Sequence, residues 1–272
     1  MGSMQQAEHK STPELGPVQP GKAGRWMLTG TLLMTYLPMQ IIVAIPLVTI
    51  ALLSGKITSL ESLTNPEDPL VLWMSLIAAA IAGVLTIGAA LAWPAVWRFF
   101  TTRDIKLADW LAWRKVERVP LWAVPVVTLA VILGSGLLAS TTLGPTEVDL
   151  QVKLFSLPGL GALATVVVST IVPVAEEFIF RGALYGAVLG DRLTGWQRHI
   201  APFVLTTILF GAVHLLAGFQ AAGSIVLIFL LSAYLTALRA VTGSVKTSIV
   251  AHLVWNLTAA VTLALSSFYG LT

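Results

Sequence analysis

At 272 residues, 56% hydrophobic and only 11% charged, with a mean hydropathy of +0.86, the chain is far from the roughly 25% charge of a soluble domain. It contains no cysteine, which excludes disulfides, thiolate metal ligands and a cysteine nucleophile. The net charge of +3 and pI near 9.3 come from lysines and arginines in loops, and no aromatic-interleaved basic patch marks a nucleic-acid partner.

What remains is an all-α polytopic membrane protein, and the apolar runs can be taken in order. Residues 1–24 are polar and rich in proline and glycine, so they read as a disordered cytoplasmic tail rather than a cleaved signal. Apolar runs follow at Trp26–Leu53, Leu70–Trp97, Val119–Thr142, Gly159–Leu189, Ile200–Ala217, Ser224–Ala240 and Thr247–Phe268. Each is near or above the roughly 20 residues needed to span a bilayer. Pro38 and Pro46 predict kinks in the first. The fourth is too long for one crossing, so its end should project from the membrane. The division expected is 25–150 for the N-terminal helices and 151–272 for a second helical unit, the core.

Loop charge predicts the orientation. Lys10, Lys22 and Arg25 precede the first run. Arg98, Arg103, Lys106, Arg114, Lys115 and Arg118 lie between the second and third. Arg192 and Arg198 follow the fourth, and Arg239 and Lys246 close the sixth. The opposite side carries only Lys56 and Lys153. This bias predicts about seven spans with a cytoplasmic N-terminus in a plasma membrane, and the simple tailed chain points to a bacterium. Between the second and third spans, residues 104–116 set Leu107, Trp110, Leu111 and Trp113 against Lys106, Arg114 and Lys115. That pattern predicts an amphipathic helix on the cytoplasmic surface.

The fourth run holds the residues that carry the argument, Glu176, Glu177 and Arg181. A charge at that depth costs about 2.5–3.5 kcal/mol, so these groups should face a protein interior or a water-filled cavity. Glu177 and Arg181 are four apart and can pair on one helix face. Glu176 is rotated about 100° away and has no cation on its own helix, which makes it the better candidate for chemistry. Later runs add His214 after Phe210, then His252 and Asn256 four apart. An ion pair or a packing histidine explains any one of these; all of them together fit water-activating hydrolysis. A carboxylate takes a proton from water, histidine orients or shuttles, and an amide stabilises the oxyanion. Two carboxylates and two histidines could instead hold a divalent metal such as zinc, through Glu176, His214 and His252, although His-Glu-x-x-His is absent.

Glu176-Glu177-x-x-x-Arg181, Phe210-x-x-x-His214 and His252-x-x-x-Asn256, with Thr242-Gly243-Ser244 before the last, resemble the motifs of the type II CAAX-processing and bacteriocin-processing (CPBP, or Abi) membrane protease family. The resemblance covers about residues 155–268. It implies an intramembrane endopeptidase acting on a membrane-associated peptide or protein. It also implies Glu176 as general base, His214 as its assistant, and His252 with Asn256 as the oxyanion pair. Glu177 and Arg181 would fix their helix, and Phe210 would wall the cavity. A metal-free glutamate mechanism and a metal-dependent one are both compatible with the family. A silent bacteriocin-immunity or scaffold protein is the alternative from another class. A proton-coupled transporter is a further one, against which stands the lack of an inverted repeat of broken helices.

Overall fold

The computed structural model describes residues 20–56, 68–101, 103–117, 119–138, 166–189, 194–216 and 222–268. The tail expected at 1–24 lies outside them as far as residue 19, as do 159–165 of the fourth run, 139–142 of the third and residue 217. Among the described residues the protein is all helix. In chain order the elements are α1 Lys22–Leu53, α2 Pro69–Thr101, α3 Leu107–Trp110, α4 Ala123–Leu138, α5 over residues 167–188, α6 Ile200–Leu216, α7 Ala222–Thr242 and α8 Val245–Phe268. Each of the seven apolar runs is mainly helical over its described residues. α1 starts earlier than its apolar run, at Lys22, and continues unbroken through Pro38 and Pro46.

Among the described residues, four helices are long and apolar enough to cross a membrane: α1, α2, and the helical stretches 195–215 and 223–242. α4 is apolar but described for only 16 residues. α5 is interrupted by Glu176, Glu177 and Arg181, and α8 carries Lys246, His252 and Asn256. The apolar faces point outward on the outer helices, as at Met34, Ile41, Ile45, Leu133 and Val261, the pattern of a protein whose solvent is lipid.

α5 lies at the centre, touching α1, α2, α6, α7 and α8. Every side chain from Ala175 to Ala187 is buried. The helix is not uniform: π turns at Val167–Ile171 and Phe178–Leu184 flank a short α stretch, Val172–Glu177. Pro173 has no N–H to donate to the preceding turn, which accounts for the first widening. Gly182 permits the close approach of Leu111, whose Cδ2 would lie 3.1 Å from an added Cβ.

The segment 104–116 departs from its expected form. Only the single turn Leu107–Trp110 is helical, and Ala112 at φ 53° ends it. Trp110 and Leu111 are fully buried instead of resting on a bilayer surface. Trp110 packs edge-on against Trp93 and Trp97, over Gly24, where a Cβ would sit 2.8 Å from the indole. The carbonyl of Ala112 accepts from Val245 N, and that of Arg114 from Ser244 Oγ. Indole and leucine surface is better packed against protein than against lipid, so the segment forms a wedge joining α1, α2 and α5 to the α7–α8 turn. That turn is made by Gly243, whose φ of 68° is open to glycine and strained for other residues.

Candidate active site

The central helix places two carboxylates in different surroundings. Arg181 Nη1 donates to Glu177 Oε1 at 2.7 Å, and both side chains are fully buried. The rest of the guanidinium is committed to α7. Nη2 donates to Ser232 Oγ at 2.7 Å and to the Ser232 carbonyl at 3.1 Å, and Nε donates to Thr236 Oγ1 at 3.3 Å. Its face lies 4.5 Å from the centre of the Phe210 ring. An arginine so occupied has little left to offer a substrate, and it serves as a fixed charge that holds Glu177 and joins α5 to α7.

Glu176 points elsewhere. The hydroxyl of Tyr36, from α1, donates to its Oε1 at 3.2 Å. The other oxygen, Oε2, lies 3.9 Å from His252 Nε2, too far for a direct hydrogen bond. His252 is fixed from behind, with Nδ1 3.0 Å from Glu177 Oε1. A carboxylate oxygen that already accepts from Arg181 accepts here too, so the partner assigns the proton to Nδ1. With the proton there, the Nε2 lone pair of the imidazole turns toward Glu176. Glu176 thus has one oxygen tethered and one facing a group that can hold or return a proton.

His214 joins through Phe210. Its ring lies 4.3 Å from the Phe210 ring, which in turn meets His252 at 6.0 Å and Phe180 at 5.2 Å. The Nδ1 of His214 lies 2.9 Å from the Phe210 carbonyl, which can only accept, so Nε2 is left as the acceptor. Asn256 is half-buried one turn beyond His252 on α8. The structure therefore gathers Glu176, Glu177, Arg181, Phe210 and His252 into one network, sets His214 at its edge, and carries Asn256 on the same helix as His252. Glu176, His214 and His252 are the residues that would serve a metal if one is bound; among the described residues no group of three or more His, Cys, Asp or Glu is disposed to hold a metal ion.

The sequence reading missed Tyr36, Ser232 and Thr236. Ser232 and Thr236 share the four-residue spacing that identified the other pairs, and that spacing was the available signal on α7. Tyr36 stands 140 residues from Glu176, in a stretch without charge, and nothing in its surroundings marks it.

Residues 158–258 match the family model described as type II CAAX prenyl endopeptidase Rce1-like. The matched segment contains each of the motif residues from Glu176 to Asn256, in agreement with the resemblance read from them. No curated protein and no solved structure matches the chain.

Proposed function

We propose that this membrane protein, whose residues 158–258 match the type II CAAX prenyl endopeptidase Rce1-like family model, is an intramembrane endopeptidase that hydrolyses membrane-associated substrates with water activated by Glu176. The observation that carries the reading is the asymmetry of the two carboxylates. Glu177 holds both Arg181 and His252 through Oε1, while Glu176 keeps Oε2 directed toward His252 without a hydrogen bond to it.

In this reading Glu176 Oε2 takes a proton as the water oxygen bonds to the scissile carbonyl carbon. The carbonyl becomes an oxyanion, which in this reading the Asn256 amide receives. Collapse breaks the carbon–nitrogen bond, and the proton held at Glu176 goes to the departing amine. His252, oriented by Glu177, steadies the carboxylate through the exchange, and His214 offers Nε2 from the other side of the Phe210 ring. The family name makes prenylated C-terminal tails the first substrates to try. A bacterial plasma membrane and a cytoplasmic N-terminus belong to the same proposal.

The test is cleavage of prenylated CAAX peptides and of a membrane-protein library by the wild type and by Glu176→Gln. Loss of the general base should lower turnover by about a hundred- to ten-thousandfold, with an unchanged unfolding midpoint. Undiminished cleavage by Glu176→Gln would remove this residue from the mechanism. Failure of the wild type to cleave anything would favour an immunity or scaffold role.

A further inference from the structure

A second charged feature lies along α5 from the carboxylates. A cavity of about 650 Å³ is lined by Lys22, Arg25, Arg114, Arg198, His199 and Arg239, which come from α1, the α3–α4 connection, the turn before α6, and α7. The volume is that of a small-molecule site. Asp109 is the one carboxylate among the described lining residues, and Arg114 already pairs with it at 3.4 Å.

The cations are held by the fold. Arg239 is 6% exposed; its Nε donates to the Arg181 carbonyl at 3.0 Å and its guanidinium lies over the Tyr185 ring at 4.9 Å. The Tyr185 hydroxyl in turn bonds His199 Nδ1 at 2.6 Å. Arg25 reaches its place because residue 186 is glycine: a Cβ there would sit 2.6 Å from Arg25 Nη1. The like charges of Arg114 and Arg25 act on Arg239, and no described ion pair joins Arg239 to a carboxylate. Like charges brought together repel, most of all at buried Arg239, and an anion between them offsets the cost. Lys22, Arg25, Arg114, Arg198 and Arg239 also belong to the cation-rich side read from the loops, where a bilayer presents its headgroups.

We propose that this pocket binds a phosphate-bearing anion, either the headgroup of an anionic phospholipid or a free phosphate compound. Planar guanidinium groups converging from four parts of the chain suit the several oxygens of a phosphate, which accept paired hydrogen bonds. Occupancy would tie α1, the α3–α4 connection, the turn before α6 and α7 together at one end of the bundle. The inference stands apart from the peptidase reading, since none of its residues is assigned to catalysis.

The experiment is a thermal-unfolding titration of the full chain in neutral detergent, with short-chain phosphatidylglycerol, phosphatidylcholine or inorganic phosphate at matched ionic strength. Phosphatidylglycerol should raise the midpoint and phosphatidylcholine should not. The Arg114→Gln/Arg198→Gln variant should lose the rise or need at least tenfold more lipid. Arg98→Gln/Arg103→Gln, exposed cations outside the pocket, should keep it. A rise with inorganic phosphate as well identifies a free phosphate compound as sufficient; a rise with the lipid alone identifies the headgroup. Should the double variant not fold, Arg198→Gln alone makes the same comparison. No rise with either anion, or an equal rise in the pocket and control variants, overturns the proposal.

Discussion

The Nδ1 of His252 lies 3.0 Å from Oε1 of Glu177, the same oxygen that takes a hydrogen from Arg181 Nη1 at 2.7 Å. One atom of a fully buried carboxylate therefore orients an imidazole from α8 and balances a guanidinium on α5. Glu177→Gln removes the charge and leaves Arg181 buried without its counter-ion. Breaking such a pair from one side costs about 3–5 kcal/mol, so this variant should unfold well below the wild type. Arg181→Met added to it should restore part of the loss, because the stranded charge is then gone. The check is the unfolding midpoint of the three proteins in one detergent, and a wild-type midpoint for Glu177→Gln would contradict the account.

Tyr36→Phe isolates the tether on Glu176. The hydroxyl touches the carboxylate, and the ring is packed in the core with 5% exposure, so phenylalanine should keep the packing. A hydrogen bond to a charged group is worth about 1.5–3 kcal/mol, and part of that appears as lost orientation of the carboxylate. The expected outcome is a kcat reduced about three- to tenfold with KM unchanged, measured on whichever peptide the wild type cleaves. A change in KM alone would place Tyr36 against the substrate instead of the base.

How much of this was legible in the sequence depends on contrast. Glu176, Glu177, Arg181, His214, His252 and Asn256 stand out because each interrupts an apolar run, and the four-residue spacing gives the shared faces without a structure. Tyr36 does not stand out, because tyrosine is ordinary in a membrane helix and its partner is distant in the chain. The wedge at 104–116 shows a different limit. Trp110 among lysines and arginines has the same pattern whether it rests on a bilayer or enters a core. Only the space above Gly24, between Trp93 and Trp97, decides between them. Likewise the loop arginines could be assigned to one side, while their meeting in one pocket required the packing of α1, α5 and α7.

The α6–α7 contact rests on a missing side chain. At Gly211 an added Cβ would overlap the ring of Phe229. Gly211 follows Phe210, so a displacement of α6 is felt at both Phe210 and His214. Gly211→Ala should destabilise by about 1–3 kcal/mol, as overpacking does, and should lower turnover with it. Phe229→Leu in the same chain should recover both, because the smaller side chain clears the added methyl. A Gly211→Ala protein as stable as wild type would show that α6 and α7 separate freely, and the site would then not depend on their contact.

The last prediction concerns the path of the chain. The pocket brings Lys22 at the start of α1 together with Arg239 near the end of α7, so these two points lie at one end of the bundle. α8 leaves from the same end, since Val245 N bonds the Ala112 carbonyl beside the pocket residue Arg114. At 1.5 Å per residue the 24 residues of α8 extend roughly 36 Å, more than a hydrocarbon core of about 30 Å. The far end of α8 should therefore emerge on the opposite face from Lys22. With the loop cations marking the near face as cytoplasmic, a reporter fused at residue 10 should be read inside the cell and one at residue 272 outside. Both reporters on one side would mean that α8 turns back or lies along the membrane. It would also break the link between loop charge and orientation on which the headgroup-side placement of the basic pocket partly rests.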